Sequence, residues 1–455
     1  MIIKNKTLDY ATWWNKIIQE GDIVDIRYDV KGFFVWKPYG FSIMKNIKSN
    51  WEILFKKNNI KEVYFPLFVP VEYAAKNKSW WDSFKEQAFY VLGYYDKEKR
   101  IFIRPTGEPA MYPVFSKWIR SHRDLPLRIY QTVMSYRNET KSTKSLVRDV
   151  EIGPWYEIHT CHSSAKEAEE EINLAIKMNE HLFNLSAIAY LKVRKPKADC
   201  FPGSVGAVEF YTLMNDGVIE NGSCNNLGQA YAKAFNITYT YQDQKKDFVW
   251  QTCTGNGERF LSAILANHSD EKGIVIPPKV APIKAQIIYI KLKEEIEITT
   301  GLSEEHLEYV NVNDSGELGE VRFNSEKRGI PARIEIGPKE LDEKICQVVW
   351  RDGIKNKVSL KDLKKEIEIG LERLQKKLQE ENHKELNSRI KECDTFEEAK
   401  KASIALIGWC GGEECGGWIK NKTSKEIIGM TLKPSTKKCI HCGEKGEATY
   451  IAKSY

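Results

Sequence analysis

Residues 128–139, RIYQTVMSYRNE, and residues 146–160, LVRDVEIGPWYEIHT, carry the reading of the fold. In both, apolar and polar side chains alternate, the signature of half-buried strands. The polar KSTKS of 141–145 between them predicts a hairpin loop. Arg137 and Glu139 lie two apart on the first strand and share a face, and Arg148 stands just past the loop. Guanidinium groups are always charged and can grip two phosphate oxygens at once, so arginines flanking a hairpin suit a phosphate-bearing ligand. Taken alone, Arg-x-Glu in a hairpin is more often a surface with ordinary charge pairs.

Upstream, residues 7–60 predict helix, loop and helix, with apolar residues at helical spacing in KPYGFSIMKNIKSNWEILFKKNN (37–59). EVYFPLFVPVEY (62–73) reads as a strand interrupted by prolines, RIFIR (100–104) as a short strand and EPAMYPVFSKWIRSH (108–122) as a helix. Downstream, SSAKEAEEEINLAIKMNEHLF (163–183) is a strong helix with Ser163 or Ser164 as N-cap. Strands follow near 206–215 and 247–253, and GNGERFLSAILANH (255–268) opens another helix. The proline-bearing IPPKVAPIKA (276–285) predicts a linker into the strand QIIYIKL. Beyond it the chain turns lysine- and glutamate-rich, with strands near 308–312, 332–336 and 345–350 and a long charged helical stretch over 360–403. Boundaries are therefore expected near 280 and 360, giving domains 1–280, 281–360 and 361–455.

The 455 residues, 42% hydrophobic and 29% charged, are enough for two to four packed domains and exclude a disordered chain. No apolar run of about 18 residues is present, and the start MIIKNKTLDYATWW has no apolar signal core, which argues against a membrane or secreted protein. A net charge of +6 is too small to establish nucleic-acid binding by bulk charge; a local basic face stays open. Six cysteines are scattered and read as reduced thiols of a cytoplasmic protein.

Three further clusters carry chemistry. Gly255-Asn256-Gly257-Glu258-Arg259 opens a predicted helix, where glycines allow close backbone approach and a helix N-terminus favours anions. It lacks the third glycine of a dinucleotide fingerprint, and there is no GxxxxGK[ST] loop, so a nucleotide site would need another architecture. Thr106-Gly107-Glu108, with Trp155, Glu157, His159 and His162, offers a carboxylate among hydroxyl and aromatic groups, which suits an ammonium or secondary amine. The two histidines are better read as packing or hydrogen-bonding groups than as metal ligands. Cys410-x4-Cys415 and Cys439-x2-Cys442 are two short-spaced thiol pairs, the donor set of tetrahedral Zn2+, with glycines nearby for tight knuckles and His441 as a spare donor.

In order, FVWKPYGFSIMKNI, VYFPLFVP, IRPTGEPAMYPVFSKWIRSHRDLPLRIYQ, YRNETKSTKSLVRDVEI, WYEIHTCH, NLGQAYAKAF, VWQT, DEKGIVIPPKVAPI, GIPARIEIGPKEL and the ending KSY resemble prolyl-tRNA synthetases of the archaeal/eukaryotic-like form with a zinc-bearing C-terminal domain. The resemblance implies an α/β (α+β) chain. Its class II synthetase core is an antiparallel sheet with flanking helices, usually a homodimer. A small α/β anticodon-binding-like domain and a zinc-bearing α+β C-terminal domain follow. Pro66 matches the first class motif at the dimer interface. By the same match Arg137 contacts the α-phosphate of ATP and the amino-acid carboxylate. Glu139 positions the adenine end, Arg148 and Asp149 lie along the nucleotide, and Arg259 lies over the adenine or reaches the outer phosphates. Glu220 and Ser223 match ATP and Mg2+ contacts, and Gly257 belongs to the third motif. Thr106, Glu108, Arg137, Trp155, Glu157, His159 and Asn225 would hold the amino acid, Arg333 and Lys339 would face tRNA, and Cys410, Cys415, Cys439 and Cys442 would bind zinc. The catalytic pair would be Arg137 and Arg259.

Several positions depart from the family pattern. Thr-Gly-Glu stands where Thr-Ser-Glu is usual, Asn225 replaces a histidine lining the proline pocket, and Gly257 and Glu258 replace small hydroxyl residues. Glu258 adds a negative charge near the expected nucleotide, and Glu220 takes a place often held by glutamine. From QIIYI to VNVND the anticodon-like domain lacks room for its usual helix and has little basic character, which would weaken RNA binding. The stretch between His162 and Gln251 is too short for a large editing insertion. Two readings follow: ATP-dependent activation of proline and its transfer to proline tRNA, or a paralogue that adenylates another amino acid or serves another acceptor.

Overall fold

The computed structural model describes residues 9–92, 100–139, 142–241, 244–292 and 296–455. The first eight residues, Lys141 of the hairpin loop and part of the LKEEIEITT stretch, on which expectations were placed, lie outside the described residues. Helices α1 (Tyr10–Glu20) and α2 (Pro38–Lys57) form where expected; Asp9 caps the first by accepting from Ala11 and Thr12, and Pro38 opens the second. EVYFPLFVPVEY does not form one strand. Lys61–Glu62 and Phe68–Pro70 are short pieces around Pro66, and Val71–Ala75 is already helical, because proline cannot donate to a ladder.

The hairpin is present as β1 (Leu127–Tyr136) and β2 (Glu151–His162), antiparallel, with Ile129 opposite His159 and Gln131 opposite Glu157. LVRDV does not extend β2: Val147 and Arg148 donate back to the Lys144 carbonyl and Leu146 sits at φ +66, so a turn replaces the strand start. The central sheet continues through β3 (Leu191–Arg194), β4 (Gly206–Met214), β5 (Gly217–Gly228) and β6 (Trp250–Asn256), in the order β3-β4-β5-β6-β2-β1, all antiparallel, with Lys61–Glu62 at its far edge. Alternate residues feed two cores. Tyr130, Ile158 and Cys224 pack with α4 (Ala165–Leu185) and α5 (Arg259–His268), whereas Ile129, Cys161 and Cys253 pack beneath α3 (Glu108–Trp118). Ser164 is the N-cap of α4, and Ala168, Ile172, Ala175, Met178 and Leu182 form its buried stripe. The face beneath α3 carries the polar residues considered below.

After the linker, β7 (Ala285–Ile290), β8 (Leu307–Val312), β9 (Ala332–Ile336), β10 (Ile345–Trp350) and β11 (Lys355–Ser359) form a second sheet in the order β8-β7-β9-β10-β11. Among the described residues only a 3-10 turn, Glu304–His306, lies between β7 and β8. Helix α6 (Ser315–Lys327) leads to β9. The 360–403 stretch is not one helix. α7 spans Leu363–Arg389, then β12 (Ile390–Glu392) and a short helix capped by Thr395 follow. The strands β13 (Ile404–Trp409), β14 (Glu426–Thr431), β15 (Thr436–Lys438) and β16 (Lys445–Ala452), with α8 (Glu413–Thr423), close the chain. They continue the central sheet: β14 pairs with β3 through Met430 opposite Arg194, and Arg194 also pairs with Glu447. Asn382 of α7 accepts from Ala189 at 2.7 Å and donates to Asn267 at 2.8 Å, tying the long helix to the same core.

Candidate active site

Strand alternation lines up a row of polar groups on one face of the sheet. Glu157 and His159 of β2 lie opposite Gly255 and Cys253 of β6, which in turn lie opposite Ser223 and Asn225 of β5. Helix α3 crosses above this row and lowers Thr106, Gly107 and Glu108 onto it. The Glu157 carboxylate accepts from Gln131 Nε2 at 2.6 Å, from the Gly107 amide at 2.9 Å and from His159 Nε2 at 3.2 Å. Burial pushes this carboxyl up, but His159 and Gln131 more than offset that and hold it below the ordinary range. Burial disfavours the charged His159 ring, yet Glu157 beside it raises its pKa on balance. Tyr112 OH lies 2.9 Å from His159 Nδ1, so both ring nitrogens are engaged.

Glu108 is 2% exposed. Its carboxyl accepts from the Thr106 hydroxyl, which itself accepts from Trp80 Nε1 at 3.1 Å. Cys253 Sγ lies 3.7 Å from the other Glu108 oxygen. Burial raises the Glu108 pKa, against the opposing pull of His159. Asn225 donates to Ser223 Oγ at 3.0 Å while its Oδ1 is buried without a hydrogen-bond partner. Gly107 leaves no room for a side chain: a Cβ there would come within 2.5 Å of Glu157 Oε1. Gln131, Tyr112, Trp80 and Cys253 were not singled out from the sequence. Tyr112 stood one helical turn beyond Glu108, and Gln131 broke the apolar series of its strand.

The nucleotide end is a cavity of about 120 Å3 walled by Arg137, Glu139, Arg148, Asp149, Trp155, Glu220, Glu258 and Arg259, among others. Arg137, from the end of β1, donates to the Pro105 carbonyl at 3.3 Å and lies 5.6 Å over the Phe84 ring. Burial and the nearby Arg259 both lower its pKa, so two cations from segments 122 positions apart face one space. Arg259 opens α5 and is held by Glu220 at 2.6 Å and by the Glu220 carbonyl at 2.8 Å. The bulge at Asn221–Gly222, opposite Phe210, resets strand alternation where Glu220 turns to that arginine. Arg148 lies 3.9 Å from Glu139. The charge expected at Glu258 is muted, because burial raises the pKa of its carboxyl. Gly257 is packed behind this cavity. Its amide donates to Asn256 Oδ1 at 2.7 Å, and a Cβ would meet the Pro154 carbonyl at 2.5 Å. Ser223 stands at the junction of the two ends, bonded to Asn225.

The remaining expected residues lie elsewhere. His162 contacts Thr160 at 2.8 Å and faces Arg128 and Glu171, and burial pushes its pKa down to about 4. Arg333 is buried and donates to Glu335 at 2.7 Å beside a cavity of about 550 Å3 that Arg322, Phe323, Gln347 and Lys355 also line; Lys339 is exposed nearby. Cys410, Cys415, Cys439 and Cys442 present sulfurs all within 4.8 Å of one another. Cys410 follows β13, Cys415 lies in the first turn of α8, and Cys439 and Cys442 sit in the β15–β16 turn, with Gly411 and Gly443 at positive φ. His441 Nδ1 lies 3.3 Å from Cys415 Sγ, and its ring stacks on Trp418 at 4.4 Å.

Residues 89–268 match the tRNA synthetase class II core domain (G, H, P, S and T), residues 280–369 the anticodon binding domain, and residues 393–455 the prolyl-tRNA synthetase C-terminal domain. The chain is 34% identical to the proline–tRNA ligase of Methanosarcina mazei, over 98% of this chain and 97% of that protein. It belongs to the prolyl-tRNA synthetase family. The proline–tRNA ligase of Pyrococcus abyssi is 35% identical over the same shares of both chains. Among solved structures, the prolyl-tRNA synthetase of Giardia lamblia in complex with prolyl-adenylate superposes with a TM-score of 0.92, at 30% identity and 98% coverage of each chain. That of Cryptosporidium parvum, complexed with halofuginone and AMPPNP, gives 0.90 at 26% identity, covering 100% of this chain and 97% of that one. The prolyl-tRNA synthetase assignment makes the chain an aminoacyl-tRNA ligase with a class II core and an anticodon-binding domain. No helix among the described residues is long and apolar enough to cross a membrane.

Proposed function

We propose that this protein activates proline with ATP to prolyl-adenylate and transfers the prolyl group to proline tRNA. One observation carries the reading: Arg137 and Arg259 wall a single cavity. Carboxylate attack on the α-phosphate brings two anions together, and fixed cations offset that repulsion and the charge of the transition state. Arg137 contacts the α-phosphate and the substrate carboxylate. Arg259 takes the adenine or outer phosphates, Glu139 positions the adenine end, and Arg148 and Asp149 flank the nucleotide. Thr106 and Glu108 meet the secondary amine. Glu157 and His159 fix the pocket floor, while Trp155 and Asn225 supply its walls. No enzyme nucleophile is needed.

Mg2+ would be held at Glu220, which borders the cavity, with Ser223, and would neutralise phosphate charge. Zn2+ fits the four convergent thiols of Cys410, Cys415, Cys439 and Cys442, of which Cys439 and Cys442 also receive backbone amides; its part there is structural. Lys339, which is exposed, faces tRNA; the Arg333 expected beside it is buried against Glu335 and lines the neighbouring cavity instead. Residues 1–280, 281–360 and 361–455 act as catalytic, anticodon-binding and zinc-bearing domains, in the cytoplasm. Two copies associate through the segment around Pro66, where Tyr64 is 77% exposed and Phe68 and Trp118 are also open. ATP–pyrophosphate exchange across a panel of amino acids tests the activity. Exchange with proline supports it, and exchange only with another amino acid overturns it.

A further inference from the structure

Two buried carboxyls that the mechanism above leaves without a proton-level role meet in the wall of the nucleotide cavity. Asp149, in the turn after the hairpin loop, is 2% exposed, and Glu258, the N-cap of α5, is 3% exposed. Glu258 Oε2 accepts from the Gly153 amide at 2.8 Å. Neither Asp149 oxygen has a hydrogen-bond partner of proper geometry among the described residues. Its neighbour is the other carboxyl. Two ionised carboxylates have no donor between them, but a single shared proton turns the contact into a short, charge-assisted hydrogen bond.

The groups that face the pair are few. Arg259 and the Leu146 amide favour an ionised Asp149; Arg259 and the Gly153 amide favour an ionised Glu258, while Glu151 opposes it. Arg259 is itself committed to Glu220. Burial is the largest influence on both carboxyls and raises both; Glu258 raises Asp149 further, whereas a hydrogen bond from Asp149 favours the ionised Glu258, so Asp149 is the side that keeps the proton.

We propose that Asp149 and Glu258 share one proton and serve as a positioning pair, clamping the β1–β2 hairpin to the mouth of α5 so that Arg137 and Arg259 stand at the spacing a triphosphate needs. The inference rests on the nucleotide reading of this cavity. Losing the proton leaves two negative charges that repel each other and the triphosphate, so nucleotide affinity falls as pH rises while the proline end is untouched.

The test is titration calorimetry of the full chain with a non-hydrolysable ATP analogue at constant Mg2+, from about pH 7.5 to about pH 9.5, where the analogue's own phosphates no longer change charge. Wild type is expected to weaken about tenfold across that range. Asp149→Asn, whose amide donates permanently to Glu258, is expected to give a flat profile, and Glu258→Gln likewise, with folding of each checked by circular dichroism. The KM for proline in pyrophosphate exchange should stay within about twofold over the same range. A flat wild-type binding profile, or an unchanged slope in both variants, overturns the shared proton. Loss of proline-dependent exchange with the binding profile intact counts against the proposed activity instead.

Discussion

Arg137 and Gly107 show at the scale of single residues how the site is made. If Arg137 meets both reacting anions as proposed, Arg137→Ala should lower adenylate formation at least about 100-fold, measured by pyrophosphate exchange, with the fold intact. Gly107→Ala places a methyl 2.5 Å from the Glu157 carboxylate, in a site where Gln131, His159 and the Gly107 amide already fix that group. The expected result is a loss of about 1–3 kcal/mol in stability and a raised KM for proline, read by thermal unfolding and exchange kinetics. Arg137, Glu108 and Glu157 were legible in the sequence because charged residues stood out in strand and helix patterns. Gln131 and Cys253 were not, because their role comes from register across strands distant in sequence.

The four-cysteine knuckle is an element-scale feature with consequences beyond itself. β14 pairs with β3, so the C-terminal strands form an extension of the catalytic sheet. About one zinc per chain is expected by elemental analysis of metal-replete protein. Cys410→Ser should lower the melting temperature by several degrees and leave the chemical step of adenylation close to wild type per folded molecule. In the second sheet, burial pushes Glu335 up, but Arg322 and Arg333 more than offset it and hold its carboxyl below the ordinary range. That stabilisation is full above the ordinary carboxylate range and is lost as pH falls through it towards the lowered value. Thermal unfolding across acidic pH should show it, and Glu335→Gln should flatten that part of the profile. Alternating strands such as β1 and β2 could be read from the sequence. β5 could not: its SCNN segment turns polar side chains to the site and breaks the apolar alternation. The C-terminal strands were hidden by their short length and lysine-rich surroundings.

For the whole molecule, the sheet that runs from β1 through β14 to the last strands joins the site, the long helix α7 and the four-cysteine knuckle into one scaffold. The order of the parts was legible from shifts in texture near 280 and 360, whereas their joining depended on edge pairing that no local pattern reveals. Mutations at the proposed dimer surface test assembly on this scale: Tyr64→Glu should shift a two-chain species towards single chains in light scattering. The central claim is that two arginines from distant segments hold ATP while the row beneath α3 selects proline. Proline-dependent ATP–pyrophosphate exchange, measured for wild type, Arg137→Ala and Arg259→Ala, tests it most directly. The account predicts strong exchange with proline, background without it, and near-background rates in both variants; wild-type exchange without proline, or variants that keep most of the rate, would contradict it.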